Sequence, residues 1–393
     1  MLAQDIVIVG ALRTPVGKFL GGLSSLHAHQ LGAKVISELV TRLKVNKDDV
    51  SEIIMGQVLT GGHGQNPARQ ASVLAGLPHA VPACTINQVC GSGLRAVAMG
   101  WQSLMSGDSR LVICGGQEAM SQSMHASYLR QGSKMGDLGM VDMMVNDGLT
   151  DAFHRYHMGI TAENVAKEYK ITREEQDQFS VASHHKAAAA MQAGVFNSEI
   201  MPVVIEGRKE TITIAEDEGV RADSSLEALA KLRPAFTQDG TVTAGNASSL
   251  NDGAAAVALM RRADAEALGL PILAKIAGWA HAGVAPEIMG TGPIHAVRAL
   301  MKKIGWTLDQ LDLIEANEAF AAQAIAVNRE LGWDTSKVNV SGGAVAIGHP
   351  IGASGARVLV TLIHGMQRLQ AKKGVTTLCI GGGMGIALAL ERE

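Results

Sequence analysis

Two kinds of apolar spacing alternate along the chain. Short continuous runs such as residues 6–9 (Ile-Val-Ile-Val) and 111–114 (Leu-Val-Ile-Cys) predict strands buried on both faces, because a half-exposed strand would alternate apolar with polar positions. Longer helix-like segments separate these runs, and the alternation points to an α/β protein with helices layered on both sides of its strands. The glycine-leavened apolar run 379–390 is too short and too glycine-rich to span a bilayer, so no membrane span is expected.

The pattern also repeats. Gly91-Ser92-Gly93-Leu94-Arg95 opens a helix-like segment that passes Asp108 into the strand 111–114 and then Gly115-Gly116. Ala353-Ser354-Gly355-Ala356-Arg357 does the same, passing Lys372-Lys373-Gly374 into the strand 377–380 and then Gly381-Gly382-Gly383. Upstream, residues 50–54 echo residues 311–314 at an offset of about 261, so two matches lie in register and indicate a duplicated unit. Residues 5–17 and 274–283 are weaker candidates for matching first strands. Between the copies, residues 120–250 have no echo and carry seven of the eighteen methionines before Gly159. Methionine-rich, glycine-punctuated chain adapts its shape, which suits either an oligomer contact or the wall of an apolar pocket.

At 393 residues the chain exceeds one ordinary core, in keeping with two or more domains or a duplicated fold. A formal charge of -3 excludes a general polyanion-binding surface, so nucleic acid is not an expected partner. The opening Met-Leu-Ala-Gln-Asp has neither a basic region nor an apolar signal core, and the expected compartment is cytoplasmic. Cys84, Cys90, Cys114 and Cys379 show no zinc-type spacing, so no metal is expected.

Several residues could carry chemistry. Cys90 stands before Gly91-Ser92-Gly93 and a helical run, where helix N-terminal amides stabilise a thiolate and small neighbours admit a substrate; the alternative is a small buried hydrophobe. His349, in Gly348-His349-Pro350-Ile351-Gly352, occupies a turn from which an imidazole can face a cavity and act as base, or simply make a structural hydrogen bond. Cys379 ends a strand before three glycines, and structural and reactive readings both stand. Asn317 ends the strand that echoes residues 53–54; its amide can orient water toward an oxyanion or cap the Ala-rich helix that follows. The glycine cluster at 381–385 lacks both the P-loop pattern and the dinucleotide pattern, which excludes ATP and NAD.

Taken together, Asn87-Gln88-Val89-Cys90-Gly91-Ser92-Gly93-Leu94, Asn317-Glu318-Ala319-Phe320-Ala321-Ala322-Gln323, Gly348-His349-Pro350-Ile351-Gly352-Ala353-Ser354-Gly355 and Cys379-Ile380-Gly381-Gly382-Gly383 resemble the motifs of the thiolase family, in that family's order and across essentially the whole chain. The resemblance implies a five-layered α/β/α/β/α thiolase fold of two duplicated halves: residues 1–119 with 250–270, an inserted loop domain 120–249 that binds CoA and makes oligomer contacts, and residues 271–393. It implies a biosynthetic-type enzyme that condenses two acetyl-CoA molecules to acetoacetyl-CoA and CoA through an acetyl-cysteine. CoA thioesters are then substrates and no cofactor is required.

By the same resemblance Cys90 is the nucleophile, His349 activates it, and Cys379 removes a methyl proton from the second acetyl-CoA. Asn317, through a water, and His349 hold that substrate's thioester oxygen, while amides of Cys90 and Gly381 form the oxyanion hole of the acyl-enzyme. His157-Met158-Gly159 matches the loop domain; Met158 and Met289 narrow the acyl pocket, Ser248 touches pantetheine, and Arg221 lies near the adenine and phosphates. His157 and Ala319 complete the implied substrate-binding set, and a homotetramer built as a dimer of dimers is the implied assembly. Gln88, Ser249 and Ala228 depart from the family's usual lysine, glycine and serine, the last at a CoA contact. A degradative 3-ketoacyl-CoA thiolase of broader chain length and a non-catalytic acyl-CoA or lipid carrier are the alternatives.

Overall fold

The computed structural model describes residues 5–207 and 210–393; residues 1–4 of the opening segment lie outside it. Its first half contains strands β1 (Ile6–Arg13), β2 (Glu52–Gly56), β3 (Ala83–Ile86), β4 (Leu111–Ala119) and β5 (Asn251–Arg261), with helices α1 (Ala28–Leu43), α2 (Pro67–Leu74) and α3 (Ser92–Ser106). Helices α4 (Met158–Glu168) and α5 (Arg173–Gln192) lie between β4 and β5. The second half contains β6 (Ala274–Gly283), α6 (Gly292–Ile304), β7 (Leu313–Ala316), α7 (Ala321–Leu331), α8 (Ile351–Arg368), β8 (Lys373–Ile380) and β9 (Met384–Glu391).

The duplication is visible in the strand order. The first half runs β1-β5-β4-β2-β3 and the second β6-β9-β8-β7, and in both the equivalent pairing, β4 with β2 and β8 with β7, is parallel. Only β3 has no counterpart among the named strands. The two proposed first strands, β1 and β6, meet each other: Val7 pairs with Lys275 and Ile8 with Ala274, which joins the halves along one edge.

Side-chain alternation explains why both faces must be covered. Ile6 and Ile8 of β1 and Val112 and Cys114 of β4 point into a central core, whereas Val7, Val9, Leu111 and Ile113 point the other way, against α1 and α2. In the second half Leu378, Ile386 and Leu388 enter the same central core, while Val375, Ala387 and Ala389 face α6 and α7. The central core is filled by α3 and α8, giving five layers. Each fully buried Ile or Leu here contributes roughly 1.5–3 kcal/mol of burial free energy.

The layout also shows where the unrepeated segment enters. Strands β8 and β9 are joined by the turn Gly381-Gly382-Gly383, with Gly382 and Gly383 at φ +84 and +86. The equivalent pair β4 and β5 is antiparallel in the same way, but residues 120–250 intervene where the second half has that turn. The segment therefore emerges at the same end of the strands as the glycine turn.

Candidate functional site

Four pieces of chain converge at that end: the turn before α3, the segment after β7, the turn before α8, and the glycine turn after β8. Cys90 is held by the first. Val89 before it has φ +45, a left-handed conformation costly for a β-branched residue, and Ser92 Oγ secures the turn by accepting from Gln88 N at 2.8 Å and donating to Val89 O at 2.7 Å. The backbone N–H groups of Gly381 and of Cys90 itself face the sulfur.

Electrostatics here differ from the simple helix N-terminus argument. Burial pushes the Cys90 thiol up to about 11, outweighing those N–H groups, and Glu118 adds to the rise. At neutral pH the resting group is a thiol, so it needs a base. Burial, with Arg357 nearby, holds His349 neutral by lowering its pKa to about 3. Its Nε2 is buried without a partner, while Nδ1 lies 2.6 Å from Ser354 Oγ and the backbone N–H donates to Asn251 Oδ1 at 2.8 Å.

Asn317 follows β7 and is buried beside this histidine, with Nδ2 at 3.5 Å from His349 Nδ1 and Oδ1 unpartnered. It does not cap the next helix: α7 starts at Ala321 behind Phe320, and no side chain makes a cap bond. Cys379 is fully buried, and its pKa stands far above the ordinary thiol value through burial and then through Cys90. Two cysteines, one neutral imidazole and one free amide oxygen thus share a dry region, and a neutral thiol pair with a base is suited to proton transfer and covalent acyl chemistry.

An apolar cavity of about 80 Å³ opens onto Cys90 and His349, and His157, Met158, Ser248, Met289 and Ala319 line it. His157 precedes α4, accepts from Gly159 N through Nδ1 at 3.0 Å and stacks on Phe236 with ring centroids 4.6 Å apart. Met158, Met289, Ala319 and Cys379 belong to one apolar cluster, and the Met158 sulfur lies so close to Gly381 that a Cβ there would come within 2.9 Å of it. Ser248 donates its hydroxyl to Ala319 O at 2.9 Å. Arg221 stands apart, in a second cavity of about 250 Å³ that shares Ala247 and Ser249 with the first and also contains Ala228 and His184. The two cavities are therefore neighbours, the inner one at Cys90 and the outer one at the exposed Arg221.

Sequence reasoning passed over Phe236, Met120, Leu149 and Ile351 on the cavity wall, as well as Ser354 and Asn251 around His349. Phe236, Met120, Leu149 and Asn251 come from separate segments and share no local motif, so only folding assembles them, whereas Ile351 and Ser354 lie within the His349 motif, which gives no sign of the contacts they make. Among the described residues no helix is long and apolar enough to cross a membrane, and no group of three His, Cys, Asp or Glu is placed to hold a metal ion.

Comparison with known proteins bears on the whole chain. The thiolase N-terminal domain family matches residues 6–263, and the thiolase C-terminal domain family matches residues 270–392. An acetyl-CoA acetyltransferase of Paracoccus denitrificans is 60% identical over 98% of this chain and 99% of its own. One from Shinella zoogloeoides is 55% identical over 99% of this chain and 100% of its own. The crystal structure of the Bacillus anthracis acetyl-CoA acetyltransferase superposes with a TM-score of 0.97 at 43% identity, covering 99% of both chains. With both family domains matched end to end and a shared five-layered architecture, the chain belongs to the thiolase family.

Proposed function

We propose that the protein is an acetyl-CoA C-acetyltransferase, which joins two acetyl-CoA molecules into acetoacetyl-CoA and CoA, or runs the reverse. The observation that carries this reading is the small methionine-walled cavity at Cys90 and His349, with room for a short acyl group, whose wall of Met158, Met289 and Ala319 packs in one cluster with Cys379.

Neutral His349 takes the Cys90 proton through its free Nε2 as the sulfur attacks the thioester carbon of the first acetyl-CoA. The N–H groups of Cys90 and Gly381, which already face the sulfur, donate to the oxyanion; the C–S bond then breaks, and CoA leaves with the proton of the Cys379 thiol, which becomes a thiolate while His349 keeps the Cys90 proton. The Cys379 thiolate so formed next removes a proton from the methyl group of the second acetyl-CoA, whose enolate oxygen is held by His349 and by a water on Asn317. A carbanion beside a thioester forms only when that oxygen is stabilised as the proton departs. The carbon attacks the acetyl-cysteine, Cys90 leaves as a thiolate and takes back the proton held by His349, and Cys379 keeps the methyl proton, so all three groups return to their starting states.

The second cavity suits the remainder of CoA: Ser248, flanked by the Ala247 and Ser249 that line both cavities, and His157 of the inner wall serve pantetheine, and exposed Arg221 of the outer cavity serves the phosphates and adenine. The exposed Met124, Tyr128, Leu129, Met135, Leu138 and Met140 of the unrepeated segment support assembly of a homotetramer as a dimer of dimers. We place the enzyme in the cytoplasm, where its free thiols remain reduced.

The test is CoA-dependent loss of acetoacetyl-CoA absorbance, repeated with 3-ketohexanoyl-CoA and longer substrates. Cleavage that falls with chain length and vanishes in Cys90→Ala supports the assignment. Equal or better cleavage of long chains moves it to a degradative thiolase, and no cleavage of any substrate overturns it.

A further inference from the structure

We infer that Glu118 is a positioning residue for the reaction: one carboxylate ties together two walls of the Cys90 site and brings its negative charge within electrostatic reach of the sulfur. Glu118 is the penultimate residue of β4 and has no solvent exposure. Its Oε2 accepts from Val58 N at 3.0 Å and from Gly352 N at 2.9 Å, and its Oε1 accepts from Leu59 N at 3.2 Å.

Those three donors belong to two segments far apart in the chain, Val58-Leu59 and Gly352. Val58 and Leu59 follow β2 and pack in one apolar cluster with Cys90, Met120 and Ile351. Gly352 is the second residue of α8, three residues after His349, so its N–H is one of the unpaired donors of a helix N-terminus and favours an anion. The fit around Gly352 is close: a Cβ there would lie 2.6 Å from Glu118 Oε2 and 2.8 Å from the Gln57 Cα. The carboxylate thus fixes the start of the helix that carries His349 relative to the wall against Cys90. A one-ångström misplacement of a catalytic group can cost on the order of 10²-fold in rate.

Gln57 and Gln117 cannot substitute for it, because they bond to each other at 2.9 Å and Gln57 donates to Leu59 O at 2.8 Å. Neutral amides also carry no charge to the sulfur. The titratable groups around Glu118 are Cys90 and, from the neighbouring strand β5, Asp252. Burial raises the carboxyl to about 7, and its negative form opposes ionisation of Cys90. The group therefore keeps the cysteine a thiol until the base acts, while holding that base's helix in place.

This inference rests on Cys90 being the nucleophile of the proposed reaction, and one arm of the test reads Cys90 without any substrate. Iodoacetamide alkylation of the intact protein is followed on the Cys90 peptide by mass spectrometry for wild type and Glu118→Gln, alongside acetoacetyl-CoA thiolysis. Removing the charge should leave the alkylation rate within about twofold at pH near 6 and raise it several-fold near pH 9, where the native carboxyl is ionised. In the same variant kcat should fall on the order of 10²-fold. A rate ratio that is the same at both pH values overturns the inference, since a packing defect alone changes access to the sulfur at every pH. Should Glu118→Gln fail to fold, Glu118→Asp carries the test: the charge is kept but withdrawn from its donors, so kcat must fall while the pH dependence of alkylation follows wild type. Unchanged kcat in that variant overturns the positioning role. Absence of thiolysis in wild type would defeat the reaction assignment and leave the alkylation result to be read separately.

Discussion

Gly93 and Gly355 occupy equivalent places in the two copies of the repeat, and each lies against the backbone of the other's helix. A Cβ on Gly93 would come within 2.7 Å of Ala356 N, and one on Gly355 within 2.3 Å of Leu94 N. Helices α3 and α8 therefore cross backbone to backbone near their first turns, and that crossing is what brings the segment carrying Cys90 next to the one carrying His349. Substituting Gly355→Ala must part the helices or strain them. Overpacking of this kind costs about 1–3 kcal/mol, and thiolysis should fall by more than stability does. Thermal unfolding and kcat measured on the same preparation check this; a variant with wild-type kcat would show that the crossing does not set the site.

The two cysteines should separate the half-reactions. Incubated with acetyl-CoA, Cys379→Ala should still gain one acetyl group on the Cys90 peptide but condense at least about 10²-fold more slowly, in keeping with loss of a general acid/base. Cys90→Ala should gain none. Intact-protein mass spectrometry before and after CoA addition distinguishes these outcomes, and acetylation that persists in Cys90→Ala would reassign the nucleophile.

A buried ion cluster holds the unrepeated segment to the first half. Arg13 of β1 has no solvent exposure, donates Nε to Glu199 at 2.6 Å and forks its two Nη groups onto Asp217 at 2.7 and 2.9 Å. Burial works against its charge, but Asp217 and Glu199 outweigh that and hold its pKa above the ordinary value. Replacing Arg13→Met leaves two buried carboxylates without their cation, a loss of about 3–5 kcal/mol. Denaturant unfolding should show the drop, and a change below about 1 kcal/mol would mean that water or rearrangement replaces the cation.

Stability should also depend on pH through Glu315. Burial raises this carboxyl to about 8, only partly offset by Arg357. Because the folded value lies above the unfolded one, the unfolded chain releases this proton first: the contribution is whole below about pH 4.5, falls as pH rises, and is lost above about pH 8. Glu315→Gln removes the titration, so the variant should gain on wild type across that interval when Tm is recorded at several pH values. Parallel curves would place the ionisation of Glu315 elsewhere.

The linear order of residues determined the duplicated α/β frame, because short uninterrupted apolar runs rich in β-branched residues fit strands covered on both sides and because the two copies lie in register. It also disclosed the catalytic candidates: Cys90, His349, Asn317 and Cys379 sit in recurring glycine, proline and strand-end contexts that are local and readable. What folding alone decided was their environment. Helix N-terminal placement predicts an easily ionised Cys90, but burial depends on every layer packed around it and leaves the group a thiol. Asn317 resembles a helix cap in sequence, yet α7 begins four residues later, so its side chain is free for the site. Glu118 and Phe236 carried no signal, since their partners lie tens to hundreds of residues away and are brought within hydrogen-bond or stacking distance only when the two halves close on the segment between them.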